Sequence, residues 1–232
     1  MRRALARVYP IIAPRDVREA PEAVRELLDL KVPFLQIRGE EPAEVLAAAR
    51  RILEWRKGSG PRLVINDFLE VAQELGAGLH IGQEDGVDPK TARKHLGPEV
   101  PLGFSTHSVE EFRSALKEYG SVLTSLSLGP VFPTRSKPDA RPPIGIAPVR
   151  ETRRMLDRFS GPVPGFLVAI GGITSHNAAD VFAAGADLVA VIGALRDHSG
   201  LLSRDVRKRI EEFEERVGGK LRSITIRSRT AS

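Results

Sequence analysis

Short apolar runs alternate with amphipathic stretches along the whole chain, and the alternation predicts strands and helices in turn. Val8–Ile12 is an unbroken apolar run, the pattern of a strand covered on both faces. Helical spacing follows over Pro21–Lys31, where Val24, Leu27 and Leu28 share a face. Pro33–Ile37 reads as the second strand. Pro42–Lys57 reads as an amphipathic helix with Val45, Leu46, Ala49, Ile52 and Leu53 on one stripe. Further strands are expected over Arg62–Ile65, Gly78–Ile81, Pro101–Phe104 and Val122–Leu128, the last alternating Ser and Leu. The helices between them fall at Phe68–Leu75, Lys90–His95 and Val109–Tyr119, and Ala147–Phe159 follows. Phe166–Ile170 and Asp187–Ile192 complete the strands. They flank a helix over Asn177–Ala184, capped by Thr174 or Ser175 and closed by Gly185. The last helix is Asp205–Val217, with Val206, Ile210, Phe213 and Val217 on one stripe.

Strict strand–helix alternation implies a parallel sheet. Eight repeats fit an α/β fold closed as a single (β/α)8 TIM barrel over residues 1–217, followed by a basic tail at 218–232. An open doubly wound sheet is the competitor, and no G-x-G-x-x-G follows the first strand to support it. No cysteine is present, which removes thiolate metal sites, disulfides and a cysteine nucleophile and fits a cytoplasmic setting. No apolar run is long enough for a bilayer, and no signal-peptide pattern opens the chain. The net charge of +5 suits an anionic partner. Nucleic acid is disfavoured, because only 5% of residues are aromatic and the basic residues are spread over helices. Small phosphorylated molecules fit better. A homodimer is compatible with this reading.

The polar residues cluster after strands. Gln36 and Arg38 follow the second, Asn66 and Asp67 the third, and Asp85 the fourth. Ser105 and His107 follow the fifth, while Thr134, Ser136 and Lys137 follow the sixth. Paired-glycine and glycine turns at Gly171-Gly172 and Gly193 follow the seventh and eighth. In a barrel all of these converge on the C-terminal mouth, where active sites of this fold lie. Helix N-capping would explain Asp67, Ser105 and Asp85 singly, but not Gln36, Arg38 or Lys137. Asp67 and Asp85 form an all-oxygen set suited to Mg²⁺, which takes one or two carboxylates plus substrate phosphates. Arg38 and Lys137 would neutralise a diphosphate. The glycine turns offer backbone N–H groups to a monophosphate. The Gly129–Gly145 loop, with five prolines, is long enough to serve as a lid. His107 is the one histidine this scheme places at the mouth, and His80 reads as core.

The motifs Gln36-Ile37-Arg38, Ile65-Asn66-Asp67 and His80-Ile81-Gly82-Gln83-Glu84-Asp85 lie in order along the chain. Gly103-Phe104-Ser105-Thr106-His107, Gly129-Pro130-Val131-Phe132-Pro133-Thr134, Ala169-Ile170-Gly171-Gly172-Ile173 and Gly185-Ala186-Asp187 follow. With them the chain resembles the thiamine-phosphate synthase family, which includes the TenI-type thiazole tautomerases. The resemblance implies a Mg²⁺-dependent transferase. It would join hydroxymethylpyrimidine diphosphate to hydroxyethylthiazole phosphate, giving thiamine phosphate and pyrophosphate. It assigns Gln36, Arg38, Asn66, Ser105 and Lys137 to the pyrimidine diphosphate, with Arg38, Lys137 and Ser105 as catalytic groups. Asp67 and Asp85 go to Mg²⁺. Thr134, Ser136, Gly172, Ile192 and Gly193 go to the thiazole phosphate. Two positions depart from the family pattern: Glu40 stands where a lysine is usual and Gly193 where a serine is usual. The alternatives are a tautomerase using His107 as acid/base and a non-catalytic thiazole-phosphate sensor.

Overall fold

The eight expected strands close on themselves. In the computed structural model, which describes residues 7–30, 32–56, 60–136 and 141–217, they are β1 (Val8–Ile12), β2 (Phe34–Ile37), β3 (Arg62–Asn66), β4 (Gly78–Ile81), β5 (Leu102–Thr106), β6 (Ser125–Leu128), β7 (Phe166–Ile170) and β8 (Leu188–Val191). Each pairs in parallel with the next, and β8 returns to β1 through Val8, Tyr9 and Pro10. The helices are α1 (Pro14–Glu19), α2 (Pro21–Leu28), α3 (Pro42–Arg56), α4 (Leu69–Leu75), α5 (Pro89–Leu96), α6 (Val109–Tyr119), α7 (Ala147–Arg158), α8 (Ala178–Ala183) and α9 (Val206–Val217). Among the described residues no helix is long and apolar enough to cross a membrane. The tail at 218–232 lies outside the described residues.

The strands are apolar on both faces because both faces are covered. Outward side chains join the helices in one large core that includes Leu35, Ile37, Ile65, Leu79, Leu102 and Leu126. Inward side chains form a separate cluster of Tyr9, Ile11, Phe34, Val64, Phe166, Val168, Leu188 and Ala190. Phe34 meets Phe166 edge-on at 5.7 Å and Tyr9 at 5.4 Å, filling the floor of the barrel.

The structure departs from the sequence-based expectation at several element boundaries. A short helix, α1, precedes α2. It buries only Pro14, Asp16 and Val17, too few apolar positions to show a helical stripe. Its start is fixed by Pro14 in the first turn and by the Asp16 carboxylate, which accepts the Ala13 N–H at 2.8 Å. Residues 122–124 precede β6, which begins at Ser125, whereas β5 runs on to Thr106. Neither Thr174 nor Ser175 caps α8; Asn177 occupies that position, and its Oδ1 accepts the Thr174 N–H. A 3₁₀ turn at Gly193–Leu195 follows β8, so α9 begins well after the strand.

Candidate active site

Strand parity builds the site. Gln36, Asn66, His80, Ser105 and Ser127 lie toward the C-terminal side of β2 to β6 and, with Tyr9 from the floor, line one cavity of about 620 Å³. The parallel register sets Asn66 beside His80 and Ser105 beside Ser127. The wall is organised by hydrogen bonds. Gln36 Nε2 donates to Tyr9 Oη at 3.2 Å, fixing the amide. His80 Nε2 lies 2.7 Å from Ser105 Oγ. Asn66 Nδ2 donates to Asp67 Oδ2. Burial holds the Tyr9 phenol above its ordinary range, so it stays protonated. Burial also pushes the His80 imidazole down to about 4, with Asp85 opposing and Arg38 reinforcing the shift. His80 is therefore neutral near pH 7.

The same cavity is lined by Arg38, Asp67, Asp85, His107, Thr134, Ser136, Gly172, Ile192 and Gly193. Apart from Lys137, which lies outside the described residues, every site residue expected from the sequence faces one space. The capping explanation for Asp67, Asp85 and Ser105 does not hold. The caps of α4, α5 and α6 are Phe68, Asp88 and Ser108. Asp67 instead sits at φ 67°, an uncommon conformation for a non-glycine residue, with its N–H on the His80 carbonyl at 2.8 Å. Asp85 folds back so that Oδ2 accepts the Gly82 N–H. His107 is not alone at the mouth, because His80 lines the cavity as well. His80 lies on the inward parity of β4, a signal the sequence offered but its apolar neighbours obscured.

The elements proposed for a monophosphate come together. The β6–α7 connection docks on the end of β7 through Val131 N–H to the Ile170 carbonyl at 2.8 Å and Phe132 N–H to the Gly171 carbonyl at 3.0 Å. Gly172 takes φ +62°, and a Cβ there would lie 2.4 Å from the Pro133 carbonyl, so only glycine allows this approach. Asn177 braces the turn by donating Nδ2 to the Gly172 carbonyl at 3.1 Å. On the other side, a Cβ at Gly193 would meet only Ser136 Oγ, at 3.4 Å. Thr134 Oγ1 accepts the Ser136 N–H at 3.2 Å. Thr134, Ser136, Gly172 and Gly193 therefore form one cup. The N–H groups in the first turn of a helix lack intrahelical partners, and the 3₁₀ turn starting at Gly193 adds such donors.

Charged residues ring the opening. Arg141 pairs with Glu84 at 3.1 Å and with Glu111 at 3.0 Å. Glu111 Oε2 also accepts the His107 N–H at 2.7 Å and the Gln83 amide at 2.9 Å, and lies 3.2 Å from His107 Nδ1. Burial works against the Glu111 charge, but these donors and Arg141 outweigh it and hold the carboxyl below its ordinary range. Glu40 is exposed and is not among the residues that line the cavity. Arg135 and Arg141 do line it. No group of three or more His, Asp and Glu side chains gathers to hold a metal among the described residues. Asp67 and Asp85 both line the cavity, and their carboxylates are oxygen donors of the type Mg²⁺ takes together with water and phosphate.

A model of the family described as thiamine monophosphate synthase matches residues 8–195, the whole barrel from β1 to the 3₁₀ turn. The chain belongs to the thiamine monophosphate synthase family. A thiamine-phosphate synthase of Moorella thermoacetica is 39% identical over 202 residues, covering 86% of this chain and 90% of that protein. One from Shouchella clausii is 34% identical over 193 residues, covering 82% and 85%. The solved thiamine phosphate pyrophosphorylase from Pyrococcus furiosus superposes with a TM-score of 0.70 at 30% identity, covering 90% of this chain and 95% of that one. Membership in the thiamine monophosphate synthase family bears out the resemblance drawn from the motifs.

Proposed function

We propose that this chain is a thiamine-phosphate synthase, a transferase of thiamine biosynthesis. It would join hydroxymethylpyrimidine diphosphate to hydroxyethylthiazole phosphate. The observation that supports the reading is the convergence on one cavity of the two residue sets proposed to bind anions. Arg38, Asn66 and Ser105 lie on one side, and the cup of Thr134, Ser136, Gly172 and Gly193 lies on the other. Magnesium dependence, a cytoplasmic setting and a diphosphate contact from Lys137 belong to the same reading.

The chemistry asked of the residues is modest. The bond between the pyrimidine methylene carbon and the diphosphate oxygen breaks, and its electron pair leaves with pyrophosphate. The thiazole nitrogen then gives its lone pair to the methylene carbon. Arg38, Lys137 and the Ser105 hydroxyl stabilise the charge growing on the leaving oxygens. Gln36, its amide held by Tyr9, orients the pyrimidine. The monophosphate cup places the thiazole nitrogen in line, so that positioning supplies much of the rate. Asp67 and Asp85 would hold Mg²⁺, which when bound adds positive charge at the departing pyrophosphate. No proton transfer is required of His107.

Purified protein with both substrates and Mg²⁺ is expected to release thiamine phosphate and pyrophosphate in equal amounts. Thiazole-phosphate binding without product would overturn the synthase reading. The tautomerase alternative rests on His107, which lines the cavity beside Glu111. His107→Asn separates the two, because synthase turnover is expected to survive it.

Gly193 provides a second check. Its φ lies outside the left-handed region, and a Cβ would find only ordinary contact with Ser136 Oγ. Gly193→Ser therefore adds a hydroxyl to the cup without strain. One more hydrogen bond to a phosphate is expected to lower KM for the thiazole phosphate by about 3- to 10-fold. Initial-rate kinetics in that substrate would show it, and an unchanged or raised KM would remove Gly193 from the phosphate site.

A further inference from the structure

We infer that His80 is a positioning residue: its Nε2–H donates to Ser105 Oγ and thereby turns the serine's own proton into the cavity, toward an anionic oxygen of the ligand. The inference rests on the synthase reading for the identity of that ligand, but its geometry stands independently. His80 is one of the few polar side chains buried inside the barrel, with 9% of its surface exposed. Its Nε2 makes the 2.7 Å bond to Ser105 Oγ. Its Nδ1 is buried and has no hydrogen-bond partner among the described residues.

That asymmetry selects the tautomer. A proton on Nδ1, in the other neutral tautomer or in the cation, would be a buried N–H with no acceptor among the described residues. If Ser105 donated to Nε2, the imidazole proton would sit on Nδ1. Orphaned buried N–H groups are rarer than under-used acceptors. The proton therefore sits on Nε2, and Ser105 Oγ is an acceptor in this bond. The serine's own proton is left for another partner, and Ser105 lines the cavity. The wall polarises in one direction, from imidazole to hydroxyl to ligand.

The neighbouring strand shows that this place is built for the ring. Gly103 pairs with His80 across β4 and β5. A Cβ at Gly103 would lie 2.4 Å from His80 Nδ1. The imidazole occupies the space a side chain would take, so any larger residue at position 103 must displace it. His80 reaches Ser105 because position 103 carries no side chain.

The first test does not depend on activity. In uniformly ¹⁵N-labelled protein, the imidazole resonances missing from His80→Gln identify His80, and their shifts give the tautomer. The expected result is protonated Nε2 and unprotonated Nδ1; the opposite tautomer overturns the inference. The second test is kinetic. His80→Leu is expected to lower kcat/KM for the pyrimidine diphosphate by about 10- to 100-fold. KM for the thiazole phosphate should move less than about twofold, because that cup does not touch His80. His80→Gln, which keeps a donor, should recover most of the loss, and Gly103→Ala should reproduce the effect of His80→Leu. In a Ser105→Ala background, His80→Leu should add less than about twofold, since the two residues act as one unit. A full additional loss in that background overturns the inference, as does a loss spread equally over both substrates. If the wild type makes no thiamine phosphate, the synthase reading fails by itself. The same comparison is then read as inorganic pyrophosphate affinity by calorimetry in the presence of Mg²⁺. Equal affinities in wild type and His80→Leu would overturn the inference there. A variant that fails to fold leaves the tautomer and His80→Gln to decide.

Discussion

Asp85→Ala is expected to lower synthase turnover by about 10²- to 10³-fold while thiazole-phosphate affinity changes less than about twofold. The separation follows from where the two sites lie. Asp85 follows β4 on the side of the cavity that carries Asn66, Asp67 and Ser105. The cup proposed for the monophosphate is built by the connections after β6, β7 and β8. Removing the carboxylate takes a negative charge from the pair proposed to hold Mg²⁺ and leaves the cup untouched. Asp85 also has a local duty, because Oδ2 accepts the Gly82 N–H. Asp85→Asn controls for this: its side-chain oxygen can still accept from Gly82, but the charge is gone. If charge is what matters, asparagine is nearly as inactive as alanine. Turnover assayed across a Mg²⁺ titration, with thiazole-phosphate binding followed by calorimetry, makes the comparison. An asparagine variant with near wild-type turnover at low Mg²⁺ would sink the metal assignment.

The barrel was legible in the sequence because most strands are covered on both faces and so read as apolar runs between polar ends. β1, β4 and β7 match their expected limits residue for residue. Much of the cavity lining was legible for the same reason, since a polar residue closing a buried strand has few structural uses. Other features were harder to read. His80 and Tyr9 lie inside apolar runs, where only inward parity distinguishes a cavity wall from core. The Ser–Leu alternation of β6 was visible, but its link to the site through Ser127 depends on the register with Ser105. Helix α1 carries too little apolar surface to show a period. The ion pair that anchors it joins residues 180 positions apart, Arg196 and Asp16. Such pairs leave no local signal.

That long-range pair supports the second large effect: Asp16→Ala is expected to destabilise the fold by about 3–5 kcal/mol. Asp16 is fully buried. Arg196 grips it with both guanidinium nitrogens, Nη1 to Oδ1 at 2.9 Å and Nη2 to Oδ2 at 3.0 Å. Oδ2 also accepts the Ala13 N–H at 2.8 Å, and Oδ1 accepts the Leu202 N–H at 3.0 Å. Alanine would strand two backbone donors and a largely buried guanidinium at once. Losing one partner of such a pair costs more than the pair contributes in net stability, because the remaining charge keeps its desolvation penalty. Arg196 directly follows the 3₁₀ turn that carries Gly193, and its N–H donates to the Gly193 carbonyl at 3.1 Å. Loosening it should also raise KM for the thiazole phosphate. Denaturant unfolding of Asp16→Ala, Arg196→Ala and the double variant measures the coupling directly. If the two single losses simply add, or if Asp16→Ala costs less than about 1 kcal/mol, the pair does not hold the barrel's first helix to the turn after its last strand.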